Sequence, residues 1–278
     1  MAELIDRGVA SIAAALGAAT HRLQAAGCDT PRLDAELLLA HVLGCDRAAL
    51  VREAHRTLAA HEAERLDALV GRRVNREPVA YILGRRGFRH IEVEVDARVL
   101  IPRPETELLV EAALELSRGA RVADVGTGSG AVALALKHER EDLEVTGLDS
   151  SADALAVARA NGERLGLDVA LRRADLLDGG SYHAVLANLP YVAEADWAGL
   201  QLEIVRFEPR TALVAADRGF ALIRRLVAAL PGDVRLAAFE VGAGQAAEVG
   251  DMLVGAGFDD LEIRRDLAGI ERVVFARR

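Results

Sequence analysis

A strand candidate, a glycine-rich loop and a helix candidate follow one another in "RVADVGTGSGAVALAL", residues 121–136, and this succession constrains the fold more than any other feature. Gly126, Gly128 and Gly130 stand where the apolar strand gives way to the helix. Glycine allows left-handed backbone conformations and lets a ligand approach the main chain closely. In open α/β sheets such a loop lies at the carboxyl end of a strand, which is where these folds bind ligands.

The residues around the loop favour a nucleoside ligand. The glycine spacing is G-x-G-x-G, whereas dinucleotide-binding loops more often read G-x-G-x-x-G, so the loop alone also fits a tight structural turn. Asp149 ends the next strand candidate, in "EVTGLDS", and can accept hydrogen bonds from both hydroxyls of a ribose. Asp175 or its neighbours in "RRADLLDG" would border an adenine ring. Together these features describe S-adenosylmethionine, although Asp149 or a neighbouring serine or aspartate could instead cap the next helix.

Strand-like and helical segments alternate beyond Gly119, which predicts a mainly parallel α/β sheet covered by helices on both faces. Before residue 78, apolar residues recur at spacings of three and four, which predicts helices, one of them ending at Gly44. Between these regions "IEVEV" predicts a strand, with a turn or hairpin before it at Gly84 and Gly87.

These patterns divide the chain into three parts. We predict a helical N-terminal domain over residues 1–77, a hairpin and linker over 78–104, and an α/β domain over 105–278. Pro102 and Pro104 stiffen the linker, after which Glu105 and Thr106 begin a helix that runs through Leu116. The strand candidates of the α/β domain are residues 122–125, 145–148, 183–187, 234–240 and 272–276.

The composition excludes several classes of protein. The net charge of −9 disfavours sequence-independent binding to nucleic acid or to anionic membranes. Cys28 and Cys45 lie far apart, and the histidines show no metal-binding spacing, so we predict neither disulfides nor a metal site. With no apolar run of about 18 residues, and with acids among the first residues where a secretory signal is basic, we expect a cytoplasmic protein.

Six arginines crowd the predicted domain junction, with Glu77 as the only acid among them. Such a run usually forms a solvated face, and the sharper alternative is contact with an acidic patch on a protein partner. The six are Arg72, Arg73, Arg76, Arg85, Arg86 and Arg89.

The fourth strand candidate ends in "NLPY", residues 188–191. An amide nitrogen is a poor nucleophile because its lone pair is delocalised, so its methylation requires that its N–H groups be held and that developing positive charge be stabilised. The side-chain oxygen of Asn188 and the carbonyl of Leu189 are two suitable acceptors. Pro190 favours an extended Leu189, and Tyr191 offers a flat wall for an amide or a base. A plain turn is the alternative.

Six segments carry a family resemblance over nearly the whole chain: "EPVAYILG", "VLIPRPETELLVE", "DVGTGSGAVALAL", "DSSADALAVARANGERLGL", "RFEPRTAL" and "RRDLAGIERVV". On them the chain resembles the release-factor glutamine N5-methyltransferases, which modify the GGQ-loop glutamine of bacterial class 1 peptide chain release factors. "IPRPETE" and "FEP" make the resemblance specific, because generic methyltransferases lack them. It implies a class I S-adenosylmethionine-dependent methyltransferase fold, Rossmann-like, with a small helical N-terminal domain for substrate recognition.

The resemblance also implies how the site is used. It makes S-adenosyl-L-methionine the cofactor and S-adenosyl-L-homocysteine the product, with class 1 release factors of translation termination as the protein partner. We expect a monomer that requires no metal, membrane or nucleic acid. The residues implied to hold the glutamine are Asn188, Leu189, Pro190 and Tyr191. The residues implied to bind the cofactor are Gly126, Thr127, Gly128, Ser129, Gly130, Asp149, Asp175, Leu176, which borders the adenine, and Asn188.

Three segments depart from the family pattern. Leu189 replaces the first proline of N-P-P-Y, which keeps a carbonyl there but releases the restriction on φ. "RRGFRH" stands where the family has E-F-W/Y-G, and "LVAADRGF" has fewer glycines than usual. Because N-L-P-Y resembles the motif of rRNA adenine dimethyltransferases, an adenine N6-methyltransferase on RNA or DNA is the alternative function. A third interpretation, an inactive cofactor-binding assembly protein, requires a damaged pocket, whereas the glycine loop, Asp149 and Asn188 are intact.

Overall fold

The computed structural model describes residues 10–278, which divide into two compact units. The helical unit runs to Gly84 and also contains Gln201–Phe207, and the α/β unit comprises Arg85–Leu200 and Glu208–Arg278. The expectation of no secretory signal and the predicted domain start at residue 1 concern residues 1–9, which lie outside the described range.

The helices are α1 (Ile12–Ala25), α2 (Pro31–Leu43), α3 (Arg47–Arg52), α4 (Ala60–Val74), α5 (Val79–Leu83), α6 (Glu107–Ala113), α7 (Ala131–Glu139), α8 (Ala152–Leu165), α9 (Leu202–Phe207), α10 (Ala221–Ala229) and α11 (Ala246–Gly255). The strands are β1 (Arg85–Phe88), β2 (Ile91–Glu94), β3 (Arg121–Val125), β4 (Glu144–Asp149), β5 (Ala170–Arg173), β6 (Ala184–Ala187), β7 (Val192–Ala193), β8 (Val214–Ala215), β9 (Leu236–Glu240), β10 (Asp260–Arg265) and β11 (Glu271–Arg277).

Helices α1 to α5 surround the apolar core of the helical unit. Pro31 begins α2, where its missing N–H has no helical partner to lose, and Gly44 ends that helix in the left-handed conformation. The predicted helices before residue 78 are therefore confirmed. The compact unit extends beyond the predicted boundary at residue 77 because α5 packs on α2 and α4. The largest fully buried side chains of this core are Ile12, Leu23, Leu38, Leu39 and Leu66.

A buried ion cluster joins α2, α4 and the late segment α9 within the helical unit. The Arg73 guanidinium donates to Asp34 Oδ2 at 2.7 Å and to Glu203 Oε1 at 2.8 Å. Arg76 donates to the other Glu203 oxygen at 2.7 Å. Asp34, Arg73 and Glu203 are buried, so their charges are compensated by one another rather than by bulk water.

The α/β unit is built on a sheet of seven strands in the order β10-β11-β9-β6-β3-β4-β5. Strands β9, β6, β3, β4 and β5 run parallel, and β11 joins antiparallel to β9 and β10. Strands β6 and β9 are buried along their whole length, as expected for a parallel sheet covered on both faces. The predicted mainly parallel sheet is confirmed.

Several local details differ from the sequence prediction. Gly87 lies inside β1, and the turn of the hairpin is at Arg89 and His90. The helix predicted through Leu116 begins with a 3₁₀ turn over Pro104–Thr106 and ends at Ala113. Strand β10 was not among the predicted strands, although Leu261 and Ile263 alternate with charged residues in it; it lies at the edge of the sheet, and most of its residues are solvent-exposed.

Most of the crowded arginines are paired rather than free, so the interpretation of a solvated face is wrong for Arg73, Arg76 and Arg89. Arg73 and Arg76 share Glu203, as described above. In the α/β unit the Arg89 guanidinium binds Glu139 at 2.5 Å, and its side chain is 12% exposed. The sequence could not indicate this, because the acids that pair with these arginines lie 22 to 130 residues away along the chain. Within residues 10–278 no helix is long and apolar enough to cross a membrane.

We expect the Arg73 cluster to stabilise the helical unit strongly. Arg73→Met removes the cation and leaves Asp34 and Glu203 buried with less compensation, which should cost about 3–5 kcal/mol in the free energy of unfolding. The matched control is Arg52→Met, since the Arg52–Asp46 pair is exposed and 4.0 Å apart, and it should cost about 0–1 kcal/mol. Urea unfolding followed by the helical circular dichroism signal measures both. Equal effects of the two substitutions would contradict this role.

Candidate active site

The candidate site is a cavity at the carboxyl ends of β3, β4 and β6 in the α/β unit. Residues 98–100, Pro209, Thr211, Ala212 and Leu222 also line it. The cavity brings together most of the residues predicted from the sequence: Gly126, Gly128, Asp149, Asp175, Leu176, Asn188, Leu189 and Pro190. Four other predicted residues are not in its lining: Thr127, Ser129, Gly130 and Tyr191.

The glycine loop has the backbone that its sequence predicts. Gly126, Gly128 and Gly130 have φ values of 76°, 56° and 80°, all in the left-handed region that favours glycine. A Cβ atom on Gly130 would lie 3.0 Å from Leu134 Cδ1, so this glycine serves close packing against α7 rather than the cavity. Thr127 and Ser129, the other two residues of the loop, are buried. Only Gly126 and Gly128 of the five loop residues border the cavity.

Asp124, in β3, holds the loop in place and was missed by the sequence reasoning. Its Oδ2 accepts the Thr127 hydroxyl at 2.6 Å and the Ala133 N–H at 3.2 Å. Burial raises the pKa of the Asp124 carboxyl to about 6. The available signal was an acidic residue inside an otherwise apolar strand, since a buried carboxylate requires hydrogen-bond partners.

Asp149 faces the cavity from the end of β4. Its Oδ2 accepts the Gly128 N–H and its Oδ1 accepts the Ser151 N–H, both at 2.9 Å. The sequence left open whether Asp149 caps the next helix. Ser151 is the N-cap of α8, because its side chain accepts the Ala154 N–H at 3.2 Å. Each carboxylate oxygen of Asp149 has a further lone pair with which to accept a hydroxyl.

Asp175 and Leu176 form the wall beside Asp149. Leu176 is buried and has a φ of 73°, a conformation that costs a non-glycine residue about 1–3 kcal/mol. Strain of this kind persists where the surroundings impose it, and here it turns an apolar side chain toward the cavity. Asp175 forms an exposed ion pair with Arg225 at 2.7 Å.

Asn188 lies at the end of β6, and its amide is held from one side. The Asn188 Nδ2 group donates to Thr106 Oγ1 at 3.1 Å. Leu189 is buried, and its Cδ2 would lie 3.1 Å from a Cβ atom on Gly126, so the side chain packs directly on the glycine loop. Thr106 belongs to "IPRPETE" and was predicted only as a helix start.

Tyr191 does not line the cavity, and its hydroxyl and carbonyl are hydrogen-bonded within the α/β unit. Its hydroxyl donates to Glu240 Oε1 at 3.3 Å, and burial raises its pKa above the ordinary range. Its carbonyl accepts the Gln245 Nε2 group at 3.0 Å. A Cβ atom on Gly219 would lie 2.0 Å from the Tyr191 oxygen, so the "NLPY" backbone requires a glycine at position 219.

Contacts of Glu208 link the "FEP" segment to the "IPRPETE" segment. The Glu208 carboxylate is buried and accepts the Ile101 N–H at 3.1 Å through Oε2, while Arg103 binds Oε1. The segment before Thr106 is therefore fixed to the segment that contributes Pro209 to the cavity.

The lining suits a nucleoside better than a phosphate-rich ligand. The only basic side chain in it is Arg98, and Asp96 pairs with that guanidinium at 2.6 Å. Leu148, Leu176 and Leu189 supply apolar surface, and the Asp149 carboxylate supplies acceptors for hydroxyls. A pocket of this composition can hold a nucleoside with its ribose at Asp149 and its base at the apolar wall. Within residues 10–278 no group of three or more metal-binding side chains could hold a metal ion.

Comparison with known families agrees with the strand order. The family described as the methyltransferase small domain matches residues 104–206. Solved structures give the same fold: the hMettl16 catalytic domain is 15% identical with a TM-score of 0.57, and the alignment covers 80% of this chain and 84% of that chain. A methyltransferase from Pyrococcus furiosus is 15% identical with a TM-score of 0.50, covering 66% of this chain and 87% of its own. The α/β unit has the fold of class I S-adenosylmethionine-dependent methyltransferases.

Relatives of higher identity narrow the assignment. The family described as the PrmC N-terminal domain matches residues 14–84. The release factor glutamine methyltransferase of Rhodospirillum rubrum is 39% identical over 290 residues, which cover 100% of this chain and 85% of that protein. The enzymes of that name from Nitratidesulfovibrio vulgaris and Escherichia coli are 40% and 38% identical, over 94% and 93% of this chain and 92% and 96% of their own lengths. The chain therefore belongs to the release factor glutamine methyltransferase family.

We expect Asp149 to be a main determinant of cofactor affinity. Asp149→Ala removes the acceptors for the ribose hydroxyls and should weaken S-adenosylmethionine binding by about 1.5–3 kcal/mol, since hydrogen bonds to a charged group are lost. The control is Asp153→Ala, because Asp153 is exposed in the first turn of α8 and is not part of the cavity. Isothermal titration calorimetry measures both affinities. Unchanged affinity in Asp149→Ala would contradict the assignment.

Proposed function

We propose that this chain transfers a methyl group from S-adenosylmethionine to the side-chain amide nitrogen (N5) of the GGQ-loop glutamine of class 1 peptide chain release factors. The observation that carries the proposal is the placement of Asn188 and Leu189 in the same cavity as Asp149 and the glycine loop. Relatives of 38–40% identity that are named release factor glutamine methyltransferases support the substrate.

On this proposal the cofactor lies along the ends of β3 and β4. Asp149 accepts the ribose hydroxyls, Leu176 and Asp175 border the adenine, and Gly126 and Gly128 allow the rest of the molecule to approach the backbone. Bound S-adenosylmethionine supplies an electrophilic sulfonium methyl group and leaves as S-adenosyl-L-homocysteine. Thr127, Ser129 and Gly130 contribute indirectly, because their burial and close packing hold the glycine loop in its conformation.

The protein's part in the reaction is to hold the acceptor amide. The Asn188 side-chain oxygen and the Leu189 carbonyl accept the two N–H groups of the glutamine, which orients the nitrogen toward the methyl group. Both acceptors also stabilise the positive charge that develops on that nitrogen. Pro190 restrains Leu189, and Tyr191 supports the loop from below through its bonds to Glu240 and Gln245.

The proposal includes a role for the helical unit in docking the release factor, with a monomeric enzyme that acts in the cytoplasm, where release factors work. The match of residues 14–84 to the PrmC N-terminal domain supports a common role for this unit in the family. Hydrogen exchange of the intact enzyme, with and without a release factor whose GGQ glutamine is replaced by alanine, tests it. Protection of amides in α1 to α5 is expected, and protection confined to the α/β unit would contradict docking through the helical unit.

Adenine methylation, the alternative considered from the "NLPY" motif, has no observation in its favour. The cavity lining contains a single arginine, which is paired with Asp96, so this lining adds no net positive charge that would attract a polyanion. The similarity to hMettl16, at 15% identity, concerns the fold alone. Incubation with labelled S-adenosylmethionine and either a release factor or total RNA distinguishes the two, since label on RNA alone would overturn the proposal.

We expect Asn188→Ala to abolish turnover while cofactor binding is retained. The substitution removes an acceptor for the reacting amide, and loss of one such group typically costs about 100- to 1000-fold in kcat. Mass spectrometry of the release-factor peptide containing the GGQ glutamine gives the rate, and calorimetry gives the cofactor affinity. A rate within about tenfold of wild type would show that Asn188 does not hold the substrate.

Leu189→Pro tests whether only the carbonyl at this position matters. Proline restores the family motif and keeps the carbonyl, so single-turnover methylation of the release factor should hold or rise. Because Leu189 is buried against Gly126, the thermal stability of the variant is measured alongside. A fall beyond about tenfold, or roughly 1.4 kcal/mol in the barrier, in a folded variant would refute this interpretation.

A further inference from the structure

A chain of hydrogen bonds runs from a buried acid to the side chain that we assign to the substrate amide. Glu240, the last residue of β9, is 2% exposed, and its Oε2 accepts the Thr106 hydroxyl at 2.6 Å. Thr106 Oγ1 in turn accepts from Asn188 Nδ2 at 3.1 Å. The second Glu240 oxygen accepts the Tyr191 hydroxyl at 3.3 Å. Neither Glu240 nor Thr106 borders the cavity, so both act on it through Asn188.

The direction of these bonds follows from counting protons. A threonine hydroxyl has one proton to donate, and an ionised carboxylate can only accept. Thr106 therefore donates its proton to Glu240 and can only accept from Asn188, which turns the Asn188 NH₂ group toward Thr106. Because the amide is planar, its oxygen is then directed to the opposite side. That oxygen is the acceptor that a substrate amide nitrogen requires.

The opposite arrangement would be unproductive. If Glu240 did not accept the Thr106 proton, the Thr106 hydroxyl could donate it to the Asn188 side-chain oxygen. The Asn188 amide, rotated by 180°, would then have as good a hydrogen bond to Thr106 as in the observed orientation. Asn188 would then present N–H groups to the N–H groups of the glutamine, and two donors repel. Tyr191 cannot correct this, because its hydroxyl is bound to Glu240.

We propose that Glu240 is a positioning residue that fixes the amide orientation of Asn188 through Thr106, so that the substrate nitrogen meets an oxygen. This inference rests on the proposed function, because it concerns how the same site distinguishes the nitrogen of the substrate amide from its oxygen. Glu240 itself touches neither substrate nor cofactor.

The charges around Glu240 make this device dependent on pH. Burial, together with the nearby carboxylate of Glu105, raises the pKa of Glu240 to about 7. The bonds from Thr106 and Tyr191 and the charge of Arg272 favour the ionised form, while Arg272 is itself paired with Asp266 at 2.8 Å. A protonated Glu240 can donate to Thr106 and release the hydroxyl proton. The active form is thus the ionised one, and kcat/KM should rise with pH through about 7 and level off above it.

Glu240→Gln provides the first test. The glutamine keeps the shape but carries an NH₂ group that can donate to Thr106, as a protonated Glu240 would. We expect kcat/KM for release-factor methylation to fall at least tenfold above pH 7, the pH dependence near 7 to disappear, and the affinity for S-adenosylmethionine to remain within about threefold. Glu144→Gln, which neutralises an exposed acid at the start of β4, should keep both kcat/KM and the pH profile. A wild-type profile in Glu240→Gln would overturn the proposal.

Thr106 provides the second test, because on this proposal Glu240 sets the orientation of the Asn188 amide through the Thr106 hydroxyl. Thr106→Val removes the hydroxyl and should lower kcat as Glu240→Gln does, whereas Thr106→Ser should restore most of the activity. The double variant Thr106→Val/Glu240→Gln should be no slower than Thr106→Val alone. Fully additive losses would overturn the proposal, because they would mean that Glu240 acts by another route. If wild-type enzyme fails to methylate any release factor, the proposed function fails first, and that result is distinct from any variant result.

Discussion

The site depends on one constraint, the parallel pairing of β3 with β4 on one side and with β6 on the other. In this register Val125 lies opposite Leu148 and Ala187, so the three strands end side by side. The residue after each pairing position then begins the glycine loop, provides Asp149 or provides Asn188. An antiparallel neighbour would have placed one of these residues at the far edge of the sheet. The meeting of a cofactor acid and a substrate amide therefore follows from the topology before any side-chain contact is considered.

The site also depends on three buried acids, each of which fixes one segment at or next to the cavity. Asp124 holds the glycine loop, Glu208 holds the segment before Thr106, and Glu240 holds Thr106 itself. A buried carboxylate is costly unless its oxygens are bonded, so each of these acids tolerates little movement of its partners. This gives loops, which are otherwise mobile, the precise geometry that methyl transfer demands. The helical unit uses the same principle in the Arg73 cluster.

The residues that meet in the cavity could largely be predicted from the sequence, because each is marked by a local sequence pattern. The glycines of the loop need left-handed backbone, Asp149 ends an apolar strand, and "NLPY" follows another, so their convergence follows from the rules for parallel sheets. The partners of these residues could not be predicted. Glu240 lies 134 residues from Thr106 in the chain and Glu208 lies 107 residues from Ile101, and no local pattern specifies such pairs. For the same reason the sequence could not indicate that the Tyr191 hydroxyl donates to Glu240.

We expect the acceptor glutamine to lie against Asn188 with its nitrogen toward an oxygen. A crystal structure of this chain with S-adenosyl-L-homocysteine and a class 1 release factor measures that contact directly. The glutamine amide nitrogen should lie about 3 Å from both Asn188 Oδ1 and the Leu189 carbonyl oxygen, with Asn188 Nδ2 still donating to Thr106. A glutamine bound elsewhere, or one whose side-chain oxygen rather than nitrogen meets Asn188, would contradict this expectation.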